Sequence, residues 1–289
     1  MVIDCHYHLE EGVLSREALL REMDRSGVEK AALMASMVGP IPEPPRPLIG
    51  IMQVMLEVRR LRGLARRFVA GFTPQGDIRI LGRPFRIEPA PDNRKVFEAL
   101  RKYPRRFLGW VFVNPRSGTD PVTELEQYHH EPGFIGVKAH PFWHHFTPVE
   151  LVPVAEKLAE TGKPLLIHCG FGPEGDFEAL LRKVPELKLI LAHAGFPEYG
   201  DTWRKVRHAH NVYLDLSQTS YVSARATRES VERLGPERLL FGTDGPYGFH
   251  GRDGRYDYGF IKRRIERLFT DEGVRRRLLG ENFAELVLN

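Results

Sequence analysis

Eight short apolar runs, each followed by a helical stretch, constrain the fold of this sequence more than anything else in it. The runs lie at 1–8 (MVIDCHYH), 29–36 (EKAALMAS), 107–113 (FLGWVFV), 134–140 (FIGVKAH), 164–169 (PLLIHC), 188–193 (KLILAH), 212–216 (VYLDL) and 239–244 (LLFGTD). They are nearly continuous in apolar residues, as parallel strands covered on both faces must be. Strand–helix alternation of this kind calls for a parallel α/β architecture. Eight units within 289 residues call for one closed (β/α)8 TIM barrel rather than an open sheet. The expected domain is therefore a single barrel over 1–289.

The helical stretches carry their own punctuation. Ser15 is placed to cap a helix over 16–25, and Gly27 to end it. Thr147-Pro148-Val149-Glu150 reads as a capping box with proline at the first helical position. Phe177, Leu180, Leu181 and Val184 repeat at helical spacing over 174–184, and Ser223 opens a helix to about Leu234. One segment breaks the alternation, an insert over about 37–92 between the second and third strands. It begins with the proline-rich GPIPEPPRP at 39–47, continues as a helix over 48–69, and ends as loop or short hairpin. The apolar half of that helix (Ile49, Ile51, Met52, Met55) must bury against something, as a lid over the barrel or as a homo-oligomer contact.

Composition narrows the setting. The sequence is 42% hydrophobic and 28% charged with a net charge of +4, ordinary values for a globular protein. No apolar run is long enough to cross a membrane, and the amino terminus lacks a signal-peptide pattern. Its only cysteines, Cys5 and Cys169, each sit in an apolar strand beside a histidine, which does not suggest a disulfide framework. A reducing, cytoplasmic location follows as the default. Basic residues are scattered rather than gathered in a stripe with aromatics, so a nucleic-acid partner is not expected.

In such a barrel the functional residues gather at the carboxyl ends of the strands. The first strand ends in His6 and His8, which alternation places on one side. The fourth ends in Lys138 and His140, the fifth in His168, the sixth in His193 and the eighth in Asp244. Any one of these has an ordinary explanation, a hydrogen-bonded histidine or a turn-forming aspartate. Their coincidence at five strand ends points to a metal site. Imidazole and carboxylate ligands with an open position suit Zn²⁺, with Mn²⁺ or Fe²⁺ as alternatives.

These motifs resemble the amidohydrolase superfamily: His6-x-His8, Gly-Val-Lys-Ala-His-Pro at 136–141, His168 in LLIHCG, His193 in LILAHAG and Asp244 in FGTDGP. They are most similar to its amidohydrolase-2 branch, which contains the aminocarboxymuconate-semialdehyde decarboxylase-like proteins. The likeness covers about 1–36 and 93–289, leaving the insert without a counterpart. It implies one divalent metal held by His6, His8, His168 and Asp244, with His193 acting on substrate or on the activated water. A bound dication lowers the pKa of its water toward about 7. Asp244 can take that water's proton and pass it to a leaving group, and His193 can stabilise negative charge on a substrate oxygen.

The same apparatus hydrolyses an ester, lactone or amide, or expels carbon dioxide from an activated carboxylate. Hydrolysis of a small, carboxylated molecule is the expected activity. Non-oxidative decarboxylation at the same site is the alternative, and a barrel that binds metal or ligand without turnover is the second. Lys138 is expected to bind a substrate carboxylate or close an ion pair; in some branches of the superfamily such a lysine is carboxylated and bridges two metals. His140 is expected to touch substrate or support a ligand. Arg252, in the glycine-rich loop 246–259 after Asp244, is placed to meet an anionic substrate. The nucleases that share His-x-His are expected to carry a glutamate at the fourth strand, which this sequence lacks.

Overall fold

The computed structural model describes residues 1–41, 45–69, 71–73, 76–80, 83–247 and 256–288. Eight parallel strands form the frame: β1 (Ile3–Leu9), β2 (Lys30–Ala35), β3 (Phe107–Phe112), β4 (Phe134–Ala139), β5 (Leu165–Ile167), β6 (Leu189–Leu191), β7 (Val212–Asp215) and β8 (Leu239–Leu240). They pair in chain order from β1 to β8. The ring is then closed through the residues that follow β8. The amide of Cys5 donates to Phe241 O at 2.9 Å, that of Asp244 to His6 O at 2.8 Å, and that of His8 to Gly245 O at 2.6 Å. The expected TIM barrel is the observed one.

Two cores hold it. Ile3, Cys5, Ala32, Met34, Leu108, Trp110, Leu166, Ile190 and Leu240 form one buried cluster with Phe283, Leu286 and Val287 of the last helix, Asn282–Val287. These strand residues fill the barrel interior, and the helix plugs its amino-terminal end. The neighbouring strand positions, such as Leu33, Val111, Val137, Leu165, Ile167 and Leu191, join a second cluster with the helices outside. Alternation along a pleated strand sorts the two sets.

β1 departs from that alternation in a way that matters. Asp4 pairs with Ala31 of β2, but the next pair is Tyr7 with Leu33, so β1 spends one extra residue there. Cys5 belongs to the inner cluster and Tyr7 to the outer one. Such a bulge re-aims side chains beside a functional site. His6 lies within it and His8 just beyond; the two turn to the same side, as their spacing predicts, and their rings lie 5.3 Å apart.

Several sequence expectations are corrected. The helix expected over 48–69 is two helices, Arg46–Glu57 and Arg62–Val69, because Val58 takes an extended conformation (φ −89°, ψ 107°). Its apolar residues divide: Ile49 and Met55 are buried, but Ile51 is 56% exposed. After it comes a three-stranded antiparallel ribbon, Gly71–Phe72, Ile78–Ile80 and Arg83–Phe85, rather than a single hairpin. A short helix at Pro121–Glu126, capped by Asp120, has too few apolar residues to be seen in the pattern. β8 ends at Leu240, and Phe241–Asp244 continues as irregular chain that still bonds to β1.

The insert lies at the carboxyl end of the barrel. Gln53 Nε2 donates to Thr219 O at 2.7 Å, Glu57 meets the Ser223 hydroxyl, and Arg62 pairs with Asp201 at 2.5 Å. All three partners follow β6 or β7. Among the described residues, no helix is long and apolar enough to cross a membrane.

Candidate metal centre

All the expected site residues but one come together at the carboxyl end, where His6, His8, Lys138, His140, His168, His193 and Asp244 are buried. Arg252 lies outside the described residues. Backbone strain marks the same place. His193, Gln218 and Asp244 have φ of 54°, 65° and 60°, a left-handed conformation that costs a residue with a Cβ about 1–2 kcal/mol. Gly242 lets the chain after β8 lie against the bulge, because a Cβ there would stand 3.0 Å from His6 Cβ.

One convergence is His6, His8 and Asp244. His6 Nε2 and His8 Nε2 are 3.4 Å apart, and they stand 3.0 Å and 3.3 Å from Asp244 Oδ1. The other ring nitrogens are already committed. His6 Nδ1 lies 2.9 Å from Asp215 Oδ2, and His8 Nδ1 lies 3.4 Å from Ala35 O. Carboxylate and carbonyl oxygens only accept, so each Nδ1 carries the proton and each neutral ring presents a bare Nε2. Three lone pairs then meet at one point, an arrangement that demands a cation. Burial and Lys138 oppose a second proton on His6, yet Asp215 and Asp244 raise its pKa above the ordinary value, which expresses the same demand. The donor set fits a divalent ion, with the second ring nitrogens held as metal-binding histidines usually are.

A second group, His6, His193 and Asp215, is also compact. Its chemistry differs. Asp215 faces the protonated Nδ1 of His6, and its other oxygen accepts from the His193 amide at 3.1 Å and the Ser217 amide at 2.9 Å. Despite its burial, Asp215 is held well below the usual carboxylate range by His6, His193 and Ser217. It is a braced carboxylate rather than an open ligand.

His168 belongs to neither group, but its ring centroid is 4.6 Å from that of His193. Its Nδ1 lies 2.7 Å from Cys169 O, so its Nε2 is bare as well. His140 stacks on His168 at 4.1 Å and has the opposite arrangement. Its Nδ1 accepts from the Trp143 amide at 3.1 Å, which puts its proton on Nε2. Burial holds both rings well below the ordinary imidazole value, so both are neutral. Lys138 Nζ is fully buried and has no hydrogen-bond partner among the described residues. Burial pushes it down to about 8, against the pull of Asp215 and Asp244.

Sequence reasoning missed Asp4, Asp215, Ser217 and Gln218. Asp4 accepts from the Thr243 amide at 2.9 Å, the Thr243 hydroxyl at 2.6 Å and the Tyr258 hydroxyl at 3.0 Å, tying β1 to the segment that carries Asp244. A signal did exist for two of them: a lone carboxylate inside an apolar strand, in VIDC and in VYLD, must find buried partners.

A family model described as amidohydrolase, of the amidohydrolase-2 type, matches residues 3–287. The chain belongs to the amidohydrolase-2 family and is an enzyme of it. Among solved structures it is similar to a 4-oxalomesaconate hydratase from Rhodopseudomonas palustris, with a TM-score of 0.64, 16% identity, and 100% and 96% of the two chains covered. It is likewise similar to a 2,6-dihydroxybenzoate decarboxylase from Rhizobium (TM-score 0.61, 15% identity, 99% and 98% covered). A protein described as a probable 2-pyrone-4,6-dicarboxylic acid hydrolase, from Acinetobacter baumannii, gives 0.61, 15%, and 99% and 98%. Among curated proteins, the fluG protein of Emericella nidulans is 29% identical over 107 residues, a stretch that is 32% of this chain and 12% of that protein's own length.

Proposed function

We propose that this enzyme is a metal-dependent hydrolase that opens an ester, lactone or amide bond in a small, carboxylated molecule. The observation that carries the reading is the meeting of His6 Nε2, His8 Nε2 and Asp244 Oδ1 within 3.4 Å with no shared proton when the rings are neutral. His6, His8, His168 and Asp244 would hold one divalent ion. Nitrogen and carboxylate donors favour zinc, with manganese or iron as substitutes. When bound, the ion supplies Lewis-acid polarisation and a more acidic water.

The protein's own groups do the rest. Asp244 and His193 are the groups that take and return the proton. His140, with its proton on Nε2, is equipped to donate a hydrogen bond to a substrate oxygen. Lys138 has an ammonium and, among the described residues, no hydrogen-bond partner, which suits a substrate carboxylate. Together with a dication it outweighs Asp215 and Asp244, so the loaded site is positive and favours an anion. Arg252 would add to that charge from the loop beyond Asp244. The whole of 1–289 is one catalytic domain in this reading, and the insert is a lid over the side of the mouth near β6 and β7.

The relatives by fold carry names of a hydratase, a decarboxylase and a hydrolase, so the fold alone does not choose among reactions. A product assay does. The zinc- or manganese-loaded enzyme is offered carboxylated lactones, esters and amides alongside hydroxybenzoates. Ring opening or acid release without carbon dioxide is the expected result. Carbon dioxide release from the aromatic acids, with no hydrolysis, would replace this reading with decarboxylation. Metal binding with no turnover of either series would leave a binding barrel.

A further inference from the structure

One segment, Asp215–Gln218 at the end of β7, touches three of the residues given roles above. Asp215 Oδ1 receives the Ser217 hydroxyl in a short contact, as well as the amides of Ser217 and His193. The same hydroxyl lies 2.9 Å from His193 Nδ1. Gln218 Oε1 accepts from the Ser220 amide at 3.1 Å, which turns its Nε2 toward Asp244 Oδ2 at 2.9 Å.

A hydroxyl has one proton to give. Asp215 Oδ1 already accepts two backbone amides and Oδ2 faces the proton on His6 Nδ1, so the Ser217 proton points to Asp215. The oxygen is then an acceptor toward His193, and the proton between them must belong to His193 Nδ1. Ser217 Oγ also lies 3.4 Å from His6 Nδ1, whose proton is already directed to Asp215 Oδ2. The one hydroxyl orientation is therefore compatible with both rings. Gln218 meanwhile occupies Asp244 Oδ2 as a donor and leaves Oδ1 to the two histidines.

Resting on the hydrolase reading above, we infer that Asp215 and Ser217 are positioning residues that fix His193 with its proton on Nδ1. Its Nε2 thus enters the reaction as a bare acceptor. Neutral His193 cannot then donate a hydrogen bond to a substrate oxygen until it has first taken a proton. The donor's role passes to His140, whose Nδ1 is blocked by the Trp143 amide and whose proton is on Nε2. The hydrogen bonds at Nδ1 thus give the two rings opposite tautomers: His193 to accept the proton, His140 to stabilise the oxygen.

The test reads the tautomer directly. Ring nitrogens of ¹⁵N-histidine-labelled, metal-free protein are observed by long-range proton–nitrogen correlation at neutral pH, with His193→Asn used only to assign signals. The wild type should show a protonated Nδ1 and an unprotonated Nε2 for His193, and the reverse for His140. Ser217→Thr, which keeps the hydroxyl, should preserve the His193 pattern. Ser217→Ala should convert it to a mixture or to Nε2–H, while His6 stays protonated on Nδ1. It should also lower kcat by about 10–100-fold with KM and metal content little changed. A wild-type His193 protonated on Nε2, or a pattern unmoved in Ser217→Ala, would overturn the inference. The wild-type spectrum decides even if the alanine variant does not fold. Because the spectrum needs neither metal nor turnover, failure of the hydrolase reading would show separately, as absent turnover beside the expected tautomers.

Discussion

The two ends of the barrel interior are built from the same eight strands and have opposite chemistry. At the amino end, Ile3, Cys5, Ala32, Leu108, Leu166, Ile190 and Leu240 pack with Trp110 and the helix Asn282–Val287, and the cluster is apolar. At the carboxyl end, five histidines, Lys138 and two aspartates are buried. The first end can satisfy itself by burial alone. The second cannot: it holds strained backbone at His193, Gln218 and Asp244, a lysine without a hydrogen-bond partner among the described residues, and three lone pairs that need a cation. The contrast shows stability assigned to one end and chemistry to the other, as parallel barrels permit.

Substitutions should therefore sort by end. The largest effect on folding is expected at Trp110, which is fully buried and donates from Nε1 to Cys5 O at 3.0 Å. Trp110→Ala should cost about 3–5 kcal/mol. Denaturant titration would show this, while the metal affinity of the folded fraction stays near wild type. An equal loss of metal affinity would mean the two ends are not separable.

His144 sharpens the comparison through pH. It is buried against Phe112, and its Nε2 lies 3.1 Å from Glu88 O. Burial lowers its pKa to about 4, whereas the unfolded value is 6.5. Between those values the unfolded chain binds a proton that the folded one refuses. Its contribution is thus complete above pH 6.5 and is lost as pH falls toward 4, by about 3 kcal/mol at most. His144→Phe should flatten that part of the stability–pH curve. An unchanged slope would show that His144 is charged in the fold.

At Lys138 the sign of the effect reverses. Lys138→Met removes a buried ammonium that has no hydrogen-bond partner among the described residues, and the metal-loaded protein should gain about 1–3 kcal/mol in thermal or denaturant unfolding. The KM for a carboxylated substrate should rise at the same time. A loss of stability would place Lys138 in the ion balance of Asp215 and Asp244 rather than in substrate binding.

How far all this could be read from the sequence depends on the residue. His6, His8, His168, His193 and Asp244 were visible because each ends an apolar run, and the barrel follows from the number of such runs. The bulge between Asp4 and Tyr7 left no trace, since an extra residue in one strand is defined only by its partner. Val58 sits inside an apolar pattern that reads as one continuous helix, and the split shows only in the extended backbone that this β-branched residue adopts. Ser217 and Gln218 lie beyond their strand, and only the fold brings them to His193 and Asp244. Asp215 was the legible omission, a carboxylate in an apolar run whose partner is a histidine 209 positions away.

The central claim is that the polar end is a site for one divalent ion. Elemental mass spectrometry on the purified wild type, on His6→Ala and on Trp110→Ala tests it most directly. The account predicts about one equivalent of zinc or manganese in the wild type and in the folded fraction of Trp110→Ala, and almost none in His6→Ala. Two equivalents in the wild type would contradict the single-ion reading. No metal after reconstitution, or metal undiminished in His6→Ala, would contradict the site itself.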